Sequence, residues 1–333
     1  MKYMVGLPVT PYDGFIERLI QCREHIYEVY FAWSDIPTGR GVAHSSNGLY
    51  PWETQTELIR TLEKLAGVGI RLNLLLNAAC YGPESQSRQF FYRIGDVIEY
   101  VHDRFGLSAI TTASPLIARF VHENMAGIDV RASVNMGIGS VQGLEYVADC
   151  FDSFYIKREC NRDMKAIRRL LNWCTGHDKR LFMLANSGCL NDCSAHAFHD
   201  NLVAHEHEAE RYDNAYQFRG VCKDYLAKTD NWVSLLRDTS FVRPEDIRSY
   251  EGMFEAVKLA TRVNPNPTRL LNAYLEGRFG GNLLSLLEPD YSELLYPHIL
   301  ANGNIPPDFL LRSRESDYCR AVMEQALIEL EMA

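Results

Sequence analysis

The stretch Leu181-Phe182-Met183-Leu184-Ala185-Asn186-Ser187-Gly188-Cys189-Leu190-Asn191-Asp192-Cys193 runs from a block of consecutive apolar residues into a polar, cysteine-bearing segment. A short apolar run with no polar alternation reads as a strand buried on both faces, as a parallel sheet requires. Comparable runs recur at residues 3–9, 26–33, 70–77, 107–113, 129–135, 151–157, 180–186 and 254–262. Amphipathic helical patterns separate most of them. Residues 53–66 place Leu58, Ile59, Leu62 and Leu65 on one face, with Gly67 placed to close the helix. Phe90, Phe91, Ile94, Val97, Ile98 and Val101 form a second stripe. Ser114-Pro115 reads as an N-cap followed by proline at the first helical position. Asn161 is expected to cap the helix carrying Met164 and Ile167, and Pro267 to open the one carrying Leu270 and Leu271.

About eight βα units predict a (β/α)8, TIM-like barrel over residues 1–278, with an open doubly wound sheet as the alternative. Two segments break the rhythm. Residues 34–51 read as a long loop, a lid in outline, and Pro37-Thr38-Gly39-Arg40-Gly41 within it lacks P-loop spacing. Residues 188–252 form an insertion between strands seven and eight, far longer than an ordinary crossover. Residues 279–333 read as a tail packed on the barrel, ending in a helix over 318–330.

The chain has 333 residues and a net charge of -9, which opposes a broad nucleic-acid footprint. No segment approaches the ~20 apolar residues of a membrane span. The start lacks a signal-peptide layout, so the expected location is cytoplasmic. Nine cysteines, an odd number thinly spread, favour free thiols or metal ligands over disulfides. Cys22 and Cys174 continue apolar helical stripes and read as core. Cys80 and Cys150 have no evident partner in the sequence.

Barrel enzymes work at the C-terminal ends of their strands. Here those ends carry Trp33, Asn77, Ser114, Asn135, Arg158, Glu159, Asn186 and Arg262. Cys189 and Cys193 follow strand seven at the same mouth, and Cys160 follows strand six. Three readings compete for these thiols. One is an iron–sulfur cluster on Cys189, Cys193, Cys222 and one further thiolate. Another is zinc on Cys189, Cys193 and either His196 or His199. The third is a reactive thiol at a helix start. His196 occupies the third cysteine position of a Cys-x3-Cys-x2-Cys motif, which argues against radical SAM chemistry. His205-Glu206-His207 does not match H-E-x-x-H and reads as a solvated helix face.

The segment Phe154-Tyr155-Ile156-Lys157-Arg158-Glu159 resembles the strand-six Arg-Glu signature of the peptidase U32 family. Residues 186–193, with His199-Asp200-Asn201, resemble the cluster motif of one branch of that family. Phe241-Val242-Arg243-Pro244-Glu245-Asp246 is similar to the same branch's segment, and Lys258-Leu259-Ala260-Thr261-Arg262 to the family's strand eight. Departures are Ser194 in place of a proline, His196 in place of an arginine and Thr261 in place of a glycine. The resemblance implies a barrel with a cysteine-ligated 4Fe-4S cluster and oxygen-independent hydroxylation, known in relatives for quinone precursors or RNA bases. It also implies pairing with a related subunit, as a heterodimer, in some members. The segment Arg312 to Cys319 looks like a cysteine-rich tail reduced to one cysteine. On that resemblance Cys319 is the expected fourth ligand beside Cys189, Cys193 and Cys222. Cys160 competes on barrel position, and an iron left open to substrate is the third option.

The expected function is therefore an iron–sulfur enzyme acting on a small molecule or peptide. Arg158 and Arg262 would hold an anionic group and Glu159 would move a proton. A Glu159–Arg262 salt bridge across the barrel top is the structural alternative for those residues. The functional alternatives are a zinc-dependent hydrolase or lyase, and a non-catalytic iron–sulfur partner of a related enzyme.

Overall fold

The structure is a computed structural model that describes residues 1–8, 12–34, 36–40, 52–209, 212–213, 215–216 and 218–330, the side chain at 207 excepted. Eight strands close a barrel: β1 Lys2–Gly6, β2 Ile26–Ala32, β3 Leu72–Leu76, β4 Leu107–Thr112, β5 Asp129–Ala132, β6 Ser153–Tyr155, β7 Arg180–Leu184 and β8 Ala256–Leu259. Every neighbouring pair is parallel. Closure comes from β8 against β1, with Val257 opposite Tyr3 and Leu259 opposite Val5, which excludes the open-sheet alternative. All eight expected strands are present but shorter, because the chain leaves the ladder to build the mouth. Most of the expected lid lies outside the described residues.

The helices form where the apolar stripes predicted. Helix Arg88–Phe105 buries Phe90, Ile94, Ile98 and Val101, and Ser87 caps it by accepting from the Phe90 amide. Ser114 caps helix Pro115–Asn124 in the same way. Three local expectations need correction. Helix Trp52–Gly67 includes Gly67, and the left-handed position after it belongs to Gly69, at φ 80°. Asp163, not Asn161, caps helix Met164–Gly176. Asn161 is instead fully buried, its amide donating to the Leu184 and Ser240 carbonyls. The last helix is Ser316–Ala326, after which Leu327–Glu329 pairs antiparallel with His298–Leu300.

Inside the barrel a polar layer sits below an apolar one. Arg131 donates to Glu28 at 2.5 Å, to Asp129 at 2.5 Å and to Ser153 at 3.0 Å. Asn73 ties Glu28 to Thr111, and the Arg131 guanidinium lies 4.5 Å from the Phe182 ring centre. A buried charge is tolerated only when paired and hydrogen-bonded in this way. Burial pushes the Asp129 carboxyl up, but Arg131 and Arg180 outweigh it and hold the group low. Residues from the insertion (Leu226, Leu235, Leu236, Phe241) and from the chain after β8 (Leu283, Leu287, Tyr291, Phe309, Val322) share a second apolar core.

Replacing Arg131 by Ala leaves Glu28 buried without its cation and Asp129 with Arg180 alone, and urea unfolding should register a loss of about 3–5 kcal/mol. Asp129 has a depressed folded value. Its contribution is therefore complete above the unfolded carboxylate range and lost as pH falls through the folded value. In the Arg131→Ala protein this acid loss should begin at higher pH.

Candidate functional site

The mouth of the barrel is closed by chain from after β8. Gly188 donates to the Glu288 carbonyl at 2.7 Å, and the Glu288 amide donates to Asn186 O at 3.0 Å. The Asn186 side chain receives the Ala260 amide and donates to the Ala260 and Leu286 carbonyls. A Cβ on Gly188 would lie 2.5 Å from the Pro289 carbonyl oxygen, so only glycine permits this approach. The glycine just past β7 thus brings a tail carboxylate over the strand ends.

That carboxylate, Glu288, forms an ion pair with Arg40. Burial raises its proton affinity, but Arg40, then Arg262 and Arg158, hold it below the usual carboxylate range. Arg262 donates to Thr38 at 3.3 Å. Arg158 donates to Asn135 Oδ1 and to His196 Nε2, both at 2.8 Å. Asp200 lies 3.2 Å from the same nitrogen. His199 is held below the ordinary histidine range by burial and then by Arg40, which keeps its imidazole neutral at neutral pH. Lys258 points its ammonium at the Tyr30 ring, 4.0 Å from the centre, and burial pushes it down to about 7.

Beside this cluster opens a cavity of about 610 Å³. Its walls include Arg40, Arg158, Glu159, His196, His199 and Glu288 together with Cys189, Cys193 and Cys222. Tyr291 lines the same cavity as Cys189, Cys193 and Cys222. Its hydroxyl is buried with no oxygen or nitrogen partner among the described residues.

No protein-family model matches the chain. It is 23% identical over 274 residues to a protein of Methanocaldococcus jannaschii described as "Uncharacterized protease MJ1657", covering 80% of this chain and 76% of that one. A solved structure, "The Structure of the U32 Peptidase Mk0906", superposes with a TM-score of 0.55 at 12% identity, over 78% of this chain and 91% of that one. The chain is similar in fold to this U32 peptidase.

In this U32-like chain the mouth gathers Arg158, Glu159, Cys189, Cys193 and Cys222 around the larger cavity. Arg158, Arg262, Arg40, Lys258 and Glu288 share a small recess over the strand ends. Cys319, expected as a fourth ligand, does not line the cavity. It is fully buried in the second core, where its thiol donates to the Ser313 carbonyl. Cys160 is half-buried and also lies off the cavity wall. The expected Glu159–Arg262 bridge does not form: Glu159 pairs with Lys157 at 3.6 Å, and Glu288 faces Arg262 instead. Thr261, which departs from the family's glycine, exchanges hydrogen bonds with Gly6 at the β8–β1 seam.

Arg40, Glu288, Tyr291 and Lys258 are mouth residues absent from the sequence-derived set. Lys258 carried a usable signal, an ionisable residue inside an otherwise apolar strand. Glu288 and Tyr291 carried none, because their position depends on backbone pairing to residues a hundred positions earlier.

The Lys258 ammonium is depressed relative to the unfolded chain, so the unfolded state binds more protons between about pH 7 and the unfolded lysine range. The cost of burying it is complete below pH 7 and fades as pH rises toward about 10. Lys258→Met should therefore be more stable than the parent at pH 6.5, on the order of a few kcal/mol, and the gap should close at alkaline pH. Urea midpoints at the two ends of that range provide the test.

Proposed function

We propose that this U32-like protein is a 4Fe-4S-dependent enzyme that modifies an anionic small molecule or peptide by redox chemistry, with oxygen-independent hydroxylation as the reaction. Cys189, Cys193 and Cys222 would hold the cluster. The carrying observation is that these thiols, two from the segment after β7 and one from helix Val221–Leu226, line one cavity with Arg40 and Arg158. Among the described residues no three His, Cys, Asp or Glu side chains are grouped to hold a single metal ion. A mononuclear zinc site needs its ligands about 2.0–2.3 Å from one point. A cluster distributes its thiolates over different irons and does not require them to converge on one point. The buried Tyr291 hydroxyl, which shares that cavity with the three thiols, would supply a donor toward sulfur of the kind that tunes cluster potential.

When bound, the cluster would supply one-electron chemistry that protein side chains lack. The chain's own residues have separate tasks. Arg158 is oriented by Asn135 and His196 to present its remaining donors to an anion. Arg40 is partly neutralised by Glu288 and steers the same charge. His199, neutral and on the cavity wall, accepts a proton from the substrate. Leu190, Val203, Phe218 and Leu287 provide apolar wall that excludes water.

Anaerobic purification followed by iron, acid-labile sulfide and zinc analysis tests the assignment. The expected result is about four irons and four sulfides per chain. Cys189→Ala, Cys193→Ala and Cys222→Ala should each lose them. Cys319→Ala should retain them, since that thiol packs in the second core. Stoichiometric zinc without sulfide, or no metal in protein never exposed to air, would overturn the reading.

A further inference from the structure

Strand β8 carries one ionisable side chain into the barrel that the proposed chemistry does not use. Lys258 is 7% exposed. Its ammonium lies between two buried rings, 4.0 Å from the Tyr30 centre and 5.0 Å from that of Tyr155. Among the described residues it has neither a hydrogen-bond acceptor nor a salt-bridge partner. The two carboxylates that act on its charge are committed elsewhere. Glu28 is bonded to Arg131 and Asn73, and Glu288 to Arg40. A lysine buried without a partner is costly, yet this one lines a small recess over the strand ends instead of turning to solvent.

That recess measures about 60 Å³. Arg40, Arg158 and Arg262 share its wall with Lys258, and Leu75, Val134 and Leu184 supply its apolar side. Each guanidinium is fixed by its own contact: Arg40 by Glu288, Arg158 by Asn135 and His196, and Arg262 by Thr38. Gly6 brings the last of these close to the lysine. A Cβ there would lie 2.5 Å from the Tyr30 ring and 2.6 Å from Arg262 Cγ, so Arg262 and Lys258 border the same ring. Positioned guanidinium forks match a carboxylate. The volume admits about four to six water-sized groups, which is the size of a two- or three-carbon oxo acid.

We infer that Lys258 is a nucleophilic amine that forms an imine with such an oxo acid, whose carboxylate the recess guanidiniums hold. The electrostatics agree with the geometry. Burial, with Arg131 and Arg262 adding to it against Glu28 and Glu288, pushes the ammonium down to about 7, so much of the amine is free at neutral pH. Desolvation beside other cations is a recognised way to make a lysine nucleophilic. In the step, Nζ attacks the carbonyl carbon. A C–N bond forms and the carbonyl π electrons move to oxygen. The carbinolamine then expels that oxygen as water, which carries away the two hydrogens of the neutral amine, and a C=N bond remains. Nothing is oxidised or reduced, and water reverses the step. Arg40, Arg158 and Glu288 also border the larger cavity, which places the adduct next to it. None of Cys189, Cys193 and Cys222 lines the recess, so the inference stands or fails apart from the cluster.

The test incubates the full chain, purified anaerobically, with pyruvate or glyoxylate and sodium cyanoborohydride at about pH 7, close to the lysine's own value. Cyanoborohydride reduces an imine to a stable secondary amine, which intact mass and peptide mapping locate. One adduct per chain is expected, at Lys258, formed at least about ten-fold faster than at any other lysine, because ordinary lysines are almost wholly protonated at this pH. Lys258→Met, which should fold at least as well as the parent, should abolish it. Acetaldehyde, which lacks the carboxylate, should label Lys258 at least about ten-fold more slowly than glyoxylate. No adduct in folded protein, adducts spread over surface lysines, or equal labelling by acetaldehyde and glyoxylate would each overturn the inference. Protein that binds no metal but still traps the oxo acid at Lys258 would support it while the cluster reading failed.

Discussion

The backbone pairing of Asn186–Gly188 with the Leu286–Pro289 segment is the contact on which the rest of the mouth depends. It is made possible by the missing Cβ of Gly188, whose place the Pro289 carbonyl takes at 2.5 Å. The Asn186 amide locks it by bonding both β8 and the incoming segment. Everything charged at the mouth is arranged around this junction. Glu288 is delivered by it, Arg40 pairs with Glu288, and the cavity containing the three thiols lies against the Leu287–Tyr291 chain. A larger residue at 188 would displace a backbone carbonyl, not the end of a flexible side chain, so the junction has no inexpensive way to relax.

The chain carries -9 overall, yet the small recess over the strand ends holds Arg40, Arg158, Arg262 and Lys258 against Glu288. A concave, partly dry site amplifies such a local surplus, while distant surface charge is screened within about 10 Å at ordinary salt. An acidic protein can therefore present a cationic recess to a small anion without becoming a general polyanion binder. Arg262 is held below its ordinary range by burial, and Lys258 is depressed further. The guanidiniums consequently remain the dependable cations, and the lysine is the group whose charge the mouth can change.

The barrel was legible because each strand is a continuous apolar run, and that pattern is nearly independent of tertiary context. Helix starts were legible where a side chain and its acceptor are neighbours, as at Ser114-Pro115. They were misassigned where two polar residues competed, because Asn161 is recruited by the Leu184 and Ser240 carbonyls and leaves Asp163 to cap. At the site, Arg158, Glu159, Cys189 and Cys193 could be placed because they follow strand ends directly. Glu288 and Tyr291 could not, since nothing in residues 279–333 specifies that they fold back on residue 188, and Arg40 takes its place by pairing with Glu288. The role of Cys319 illustrates the same limit. Its family-like context suggested a ligand, whereas its surroundings of Phe309, Val322 and Met323 make it a small buried hydrophobe.

The nine cysteines are sorted by environment, and spacing alone cannot do that sorting. Cys22, Cys150, Cys174 and Cys319 are buried, and Cys160 is half-buried, among packed side chains. For Cys22, Cys160, Cys174 and Cys319 burial raises the thiol and suppresses the thiolate that metal binding requires. Cys80 has the opposite setting, a partly exposed thiol held down by His205. Cys189, Cys193 and Cys222 occupy a third setting, on the wall of a cavity beside fixed cations.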